Sequence, residues 1–310
     1  MVPLLIKRYL WLVDTLRRVG DFGLTHREIN EAWANPYNQL YKDCGNEEIS
    51  RRTLLNHRNA IREQFKIEIE CVRRGADSRY RINNDISETN PVVEWLLSAV
   101  ATENLAAEYS SISDKILLEP ADKGSIHLPT ITQALKANQR LIIDYQGFHI
   151  GQQPQADVLI EPLSLKMFKR RWYLLANKVE ADGYRLYALD RIRRCILTEV
   201  IYEYPKGFSA EEYFSDFYGV STDAYTERPC RVVLRAYQEL PAYLIVQPLH
   251  HSQEVVMKTD SYTDFSYWLR SAFDFIQEIL SHGNQLEVIK PESLRELVGK
   301  ILKISSEKYL

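Results

Sequence analysis

The amino-acid sequence predicts an α+β chain of several domains: an N-terminal winged helix-turn-helix, a small β-barrel and a C-terminal ferredoxin-like βαββαβ domain. Three observations carry that expectation. Apolar residues recur at helical spacing through the first 65 residues and are followed by a short β-like pair. From Leu141 the pattern turns to closely spaced short runs separated by Gly, Pro and charged turns. From about Pro229 it turns again, to strand-like and helix-like segments in alternation.

Leu5, Tyr9, Leu12, Leu16 and Val19 mark an amphipathic helix over 4–19, ended by Gly20 and Gly23. Thr25 with Glu28 forms a capping-box signature for a second helix, which Asn35-Pro36 stops. Ser50 is a suitable N-cap for a third helix to about Gln64. Short strands over 67–73 and 79–82 complete the winged helix-turn-helix order and set a first domain at 1–85. A connector over 86–137 carries helical patterns at 91–110 and 128–137. The runs LIIDY, VLIEPL, SLKMF, RWYLLAN, YRLYALD and CILTEV then build the barrel over 138–205. A linker over 206–228 leads to 229–310, where CRVVLRA, ELPAYLIVQ, SQEVVMK, DFSYWLR, residues 273–280 and LEVIK give the order β-α-β-β-α-β. The segment PESLRELVGKILK closes the chain as a helix with proline in its first turn.

The totals narrow the function classes. A chain of 310 residues with 45% hydrophobic and 26% charged residues can bury more than one core, which excludes a disordered or fibrous protein. Four scattered cysteines, with none at metal-ligand spacing, point to reduced thiols in a cytoplasmic protein. Lys7, Arg8 and Asp14 interrupt the apolar opening, so it is a poor signal peptide. The apolar stretch near 92–101 contains Glu94 and is too short to span a bilayer, so no membrane partner is expected. The net charge of −3 conceals an alternation: 1–85 and 128–200 carry a basic surplus, whereas 86–127 and 201–310 are acidic. Two basic blocks imply two places where anions bind.

The first basic block holds ISRRTLLNHRNAIREQF at 49–65. On a helical wheel Leu54, Ile61 and Phe65 share one stripe, and Arg52, Asn56 and Asn59 share the opposite face. Arginine and asparagine are the side chains that pair bidentately with guanine and adenine edges. Ser50, Arg51 and Thr53 occupy the first turn, where amides and helix dipole suit a phosphate. Arg73, Arg74 and Arg79 are expected at the hairpin tip, as a wing touching DNA. The same face also fits a solvated helix of a small bundle. The segment over 35–49 is much longer than the roughly three- to four-residue turn of a helix-turn-helix.

In the second block, strand alternation sets Trp172, Leu174 and Ala176 against Arg171, Tyr173, Leu175 and Asn177. It likewise sets Tyr184, Leu186, Ala188 and Ile192 against Arg185, Tyr187, Arg191 and Arg193. One face is therefore expected to gather four arginines and two tyrosines, which favours an anion with a ring to stack. Surface arginines paired with Asp190, Asp182 or Glu161 are the alternative.

RRWYLLAN followed by YRLYALDRIRR resembles the signature of the WYL-domain transcriptional regulators, through Trp172-Tyr173-Leu174 and Leu189-Asp190-Arg191-Ile192. Ser50-Arg51-Arg52-Thr53 resembles the opening of that family's recognition helix, and EVIKP at 287–291 its C-terminal WCX-type extension. The resemblance implies an SH3/Sm-like barrel, frequent homodimerisation, a bacterial source and binding of nucleotides or nucleic-acid fragments by basic barrel residues. By matching position it implies Tyr145, Arg171, Tyr173, Arg185, Arg191 and Arg193 as ligand contacts, and the strand alternation adds Tyr187. Ala188 stands where members often have arginine, and Asn56-His57 where an Arg-Asp pair is commoner. His57 is counted with the DNA-facing residues.

No Gly-rich phosphate loop or nucleophile motif occurs, and His250-His251 lacks partners at zinc spacing, as expected for surface histidines. The sequence thus predicts a non-enzymatic regulator without cofactor or metal. Its partners are double-stranded DNA, an anionic nucleotide or oligonucleotide effector, and a second copy. A nucleic-acid-processing or nucleotide-hydrolysing enzyme that uses the helix-turn-helix for targeting is the alternative. An interaction protein that has lost DNA binding is a third reading.

Overall fold

The computed structural model describes residues 3–35, 38–74, 77–82, 95, 98, 115, 123–148, 153–181, 183–225 and 228–310. The chain divides into two compact units, Met1–Glu119 and Pro120–Leu310. Apart from 95 and 98, the helix expected over 91–110 lies outside the described residues.

The first unit contains α1 (Leu4–Val19), β1 (Leu24–Thr25), α2 (His26–Trp33), α3 (Gln39–Asp43), α4 (Arg51–Phe65), β2 (Ile69–Arg74) and β3 (Asp77–Ile82). Its three strands form an antiparallel sheet in the order β1-β3-β2. The capping box starts α2: Glu28 N–H donates to Thr25 Oγ1 at 3.2 Å and Thr25 N–H to the Glu28 carboxylate at 2.7 Å. Tyr9, Leu12 and Leu16 of α1 bury against Ile29, Trp33, Leu54, Ile61 and Phe65 in one core, which fixes which side of α4 faces inward. The long segment before α4 holds the short helix α3 and is tied back onto α2. Ile49 N–H donates to Asn30 Oδ1 at 2.8 Å, Asn30 Nδ2 donates to Ile49 O at 3.1 Å, and Trp33 Nε1 donates to Glu47 O at 2.9 Å. Side-chain amide and indole groups thus replace the constraint that a short turn would supply.

The second unit opens with α5 (Leu128–Ala137), followed by β4 (Gln139–Tyr145), β5 (Gln155–Phe168), β6 (Arg171–Lys178), β7 (Tyr184–Ala188) and β8 (Ile192–Ile201). These strands form one antiparallel sheet in the order β7-β6-β5-β4-β8, with a 3-10 turn, Leu189–Arg191, between β7 and β8. Helix α5 was expected in the connector, yet its Ile131 and Ala134 are buried with Leu141, Ile143, Ile160 and Leu174 of the sheet. A further expectation is corrected by β5. VLIEPL and SLKMF are one strand whose register slips between Pro162 and Ser164. Proline cannot donate to a ladder, so the pairing shifts around it. The carbonyls of Pro162 and Leu163, both buried residues, accept the hydroxyls of Tyr202 and Tyr204.

The segment expected as a linker is structured in part, with α6 (Ala210–Phe214). Beyond it come β9 (Cys230–Tyr237), α7 (Leu240–Val246), β10 (Glu254–Lys258), β11 (Tyr262–Leu269), α8 (Phe273–Ser281), β12 (Leu286–Lys290) and α9 (Glu292–Glu307). The four strands are antiparallel in the order β10-β11-β9-β12. Val232, Leu234, Phe265 and Tyr267 bury with Leu240, Leu244, Phe275, Ile276, Leu294 and Val298, so all three helices share that core. His250 is not the surface residue the sequence suggests. It is buried, its Nε2–H donates to Ser215 O at 2.8 Å, and Nδ1 lies 2.7 Å from Ser252 Oγ. Burial drives its pKa down to about 4, so it stays neutral as it ties the 206–228 segment to the strand β10 side.

Candidate functional site

Helix α4 presents two unlike faces. Leu54, His57, Ile61 and Phe65 are buried, whereas Arg51, Arg52, Leu55, Asn56, Asn59 and Arg62 are exposed. Ser50 caps the helix: its Oγ accepts Thr53 N–H at 3.1 Å and lies 2.8 Å from Thr53 Oγ1. Those two hydroxyls therefore serve the helix start, and Arg51 and Arg52 extend from the same turn into solvent.

Two of the expected DNA contacts are corrected by this geometry. His57 is 5% exposed and packs edge-on against Tyr9, with ring centroids 5.0 Å apart. Position 57 falls three residues after Leu54 and four before Ile61, which is the core stripe and not the outer one. Burial, with the nearby Arg8 cation, lowers its pKa to about 4. Arg79 is also occupied. It pairs across the ladder with Val72 and Thr25, away from the hairpin turn. Its guanidinium donates to Gly23 O at 2.9 Å, bridges to Glu28 at 3.2 Å and lies over the Phe22 ring at 4.6 Å. Arg79 fastens the hairpin to the capping box of α2. Arg58, which the sequence did not single out, does the same for α4: its Nε and Nη2 donate to Ile69 O, and it stacks over Tyr80. Arg73 is exposed. The side chain of Arg74 lies outside the described residues.

In the second unit, Tyr145, Arg171, Tyr173, Arg185, Tyr187 and Arg191 line one cavity of about 830 Å³. Its placement does not follow the alternation argument. The β6–β7 register sets Leu174 opposite Tyr187 and Ala176 opposite Arg185, while Tyr173 opposes Ala188. Arg185 and Tyr187 thus share the core side of the sheet with Leu174, and Arg171 with Tyr173 the other. They meet in the lining of one cavity, to which β7 contributes as an edge strand. Arg193 is not among the lining residues; it follows the buried Ile192 and is exposed on β8. Tyr187 and Tyr145 are buried and edge-to-face at 5.0 Å, so they form the floor and not a free stacking shelf. Burial raises the Tyr187 hydroxyl to about 12, which keeps it a neutral donor.

The arginines differ in what they already hold. Arg171 is bridged to Asp190 at 2.6 Å. Arg185 has no acidic partner among the described residues. Arg191 lies over the exposed Phe148 ring at 4.2 Å, and its buried Nε has no hydrogen-bond acceptor among the described residues. A buried guanidinium N–H without a partner costs about 1–3 kcal/mol, a penalty that a bound anion removes.

Backbone contacts position Arg191. Gln146 N–H donates to Arg191 O at 3.0 Å, and His127 Nε2–H donates to Ile192 O at 2.9 Å. Gly124 lies so close beneath the turn that a Cβ there would meet Asp190 N at 2.4 Å and Leu189 C at 2.5 Å. The Leu-Asp-Arg turn is therefore clamped, with Asp190 aimed at Arg171 and Arg191 into the cavity.

The far wall is built by residues that no local pattern marks: Val220, Ser221, Thr222, Asp223, Phe273 and Asp274. Asp274, in the first turn of α8, accepts Val220 N–H at 2.8 Å and Ser221 N–H at 2.7 Å. Gly219 sits between, at φ +94°, where a Cβ would meet Asp274 Oδ2 at 2.5 Å and Phe168 Cζ at 2.8 Å. Its carbonyl accepts Lys166 Nζ–H, and burial lowers that amine to about 8. The stretch Val220–Asp223 is thereby a wall of the cavity.

Residues 126–197 match the model of the WYL domain. The segment 126–197 is a WYL domain. It comprises α5, β4 to β7, the clamped turn and β8 as far as residue 197. No curated protein matches the chain. Among solved structures the chain is similar to proteasome accessory factor B/C (PafBC) of Arthrobacter aurescens, at 19% identity and a TM-score of 0.31 over 94% of this chain. It spans 45% of that protein's length. It is also similar to a CRISPR Cas-related protein, at 10% identity and a TM-score of 0.36, over 82% of this chain and 71% of the other. Among the described residues no helix is long and apolar enough to cross a membrane, and no group of three His, Cys, Asp or Glu is placed to hold a metal.

Proposed function

We propose that this chain is a DNA-binding transcriptional regulator whose WYL domain senses an anionic, nucleotide-like effector. The observation that carries the reading is the outer face of α4. Arg52, Asn56 and Asn59 stand exposed there on a capped helix whose opposite stripe is core. A helix held rigidly by one stripe can lay the other in a major groove, where arginine reads guanine and asparagine reads adenine. Arg73, on the exposed hairpin, supplies backbone contact. The first unit is then a winged helix-turn-helix. The five-stranded sheet with its 3-10 turn is an SH3-like barrel, and the strand order β10-β11-β9-β12 is that of a ferredoxin-like domain.

The effector site is the cavity, with Arg185 and Arg191 as its free anion donors and Arg171 held in reserve by Asp190. Coupling follows if the chain acts as a two-fold dimer. An effector that favours one dimer arrangement shifts the spacing of the two α4 helices against DNA half-sites.

Arg52→Ala and Arg73→Ala test the DNA half. Arg52→Ala is expected to relax base preference at one position, at a cost of about 1–3 kcal/mol on the preferred sequence, while Arg73→Ala weakens all duplexes alike. Mobility shifts on selected and scrambled duplexes distinguish the two. The reverse pattern overturns the assignment of faces.

A further inference from the structure

Leu55 belongs to the outward face of α4 yet is apolar. It is 51% exposed and is the only large hydrophobic of the helix that is exposed. It takes no part in the core that holds Leu54, Ile61 and Phe65. Arg52 precedes it by three residues and Asn59 follows by four, so both flank it on the helix surface. Arg51 and Arg62 lie on its other side. One exposed apolar side chain is thus ringed by groups that donate hydrogen bonds.

A thymine presents the complementary surface in the major groove. It offers a C5-methyl, which no other DNA base carries, beside an O4 acceptor and next to phosphates. We propose that Leu55 determines specificity by packing on the C5-methyl of a thymine adjacent to the bases read by Arg52 and Asn59. The inference rests on α4 being the DNA-reading helix and names the base that helix selects. It does not depend on the effector. Burying one methyl against leucine corresponds to about a fourfold gain in affinity.

The test starts from duplexes selected by the intact wild-type chain from a random library. Each thymine of the best duplex is replaced in turn by deoxyuridine, which deletes only the methyl, and affinity is read by fluorescence anisotropy. At one or two positions the wild type is expected to lose about fourfold, the worth of one methyl. Leu55→Ala is expected to show no loss at those positions, and Leu55→Met to keep it. Thermal melts of both variants should match the wild type, because the side chain is outside the core. A wild type indifferent to deoxyuridine everywhere overturns the inference, as does a Leu55→Ala variant that retains the full penalty. A chain that binds no duplex overturns the DNA reading beneath it as well.

Discussion

Arg191→Ala is expected to weaken effector binding by about 10- to 100-fold, the loss of one or two charge-assisted hydrogen bonds, while leaving the fold intact. The expectation comes from what the guanidinium does in the free protein. Its Nε is buried without an acceptor among the described residues, and the guanidinium lies over the Phe148 ring. Removing it therefore removes an unmet donor, and stability should hold or rise slightly. Arg185→Ala should behave alike, since it too lacks an acidic partner among the described residues. Arg171→Ala should differ, because it strips Asp190 of its 2.6 Å partner. Calorimetric titration with a panel of cyclic nucleotides, linear nucleotides and short single-stranded oligonucleotides reads the affinity, and thermal melts read the fold. If Arg185→Ala and Arg191→Ala both unfold the second unit, these arginines are structural and the sensor assignment fails.

Gly124→Ala is expected to do the opposite: to lower the stability of the second unit by about 1–3 kcal/mol and to impair effector binding with it. A Cβ at Gly124 would stand 2.4 Å from Asp190 N and 2.5 Å from Leu189 C, both backbone atoms that cannot swing aside. The Leu189–Arg191 turn must shift, and Arg191 shifts with it. His127→Ala, which frees Ile192 O from its 2.9 Å bond, should give a milder version of the same phenotype. Unchanged melting and unchanged titration in Gly124→Ala would show that the turn is not clamped as the geometry indicates.

The parts of the molecule that could be read from sequence are those governed by local rules. The capping box at Thr25 and Glu28 and the Ser50 cap obey the chemistry of a single helix turn, and the structure shows both bonded. The stripe Leu54, Ile61, Phe65 is set by helical periodicity alone. Expectation and structure part where a polar residue falls on the core stripe or where a second element decides. His57 lies on the same stripe as Leu54 and Ile61, so helical periodicity accounts for its burial. Arg79 looked free because Glu28 is 51 residues away and only the fold brings them together. The strand faces of Arg185 and Tyr187 depended on the β6–β7 register, which the intervening turn sets and composition does not. Asp274 and the Val220–Asp223 wall have no signal in the sequence, because long-range packing of α8 and of the segment after β8 brings them to the cavity.

Equilibrium binding of the intact chain to its selected duplex, measured across about 50–200 mM salt, tests the central claim most directly: that positive side chains on α4 and its hairpin hold DNA. The account predicts nanomolar-to-micromolar affinity that falls steeply and linearly in log–log form as salt rises, with a shallower slope in Arg73→Ala. Binding that is absent at low salt, or that does not change with salt, contradicts it.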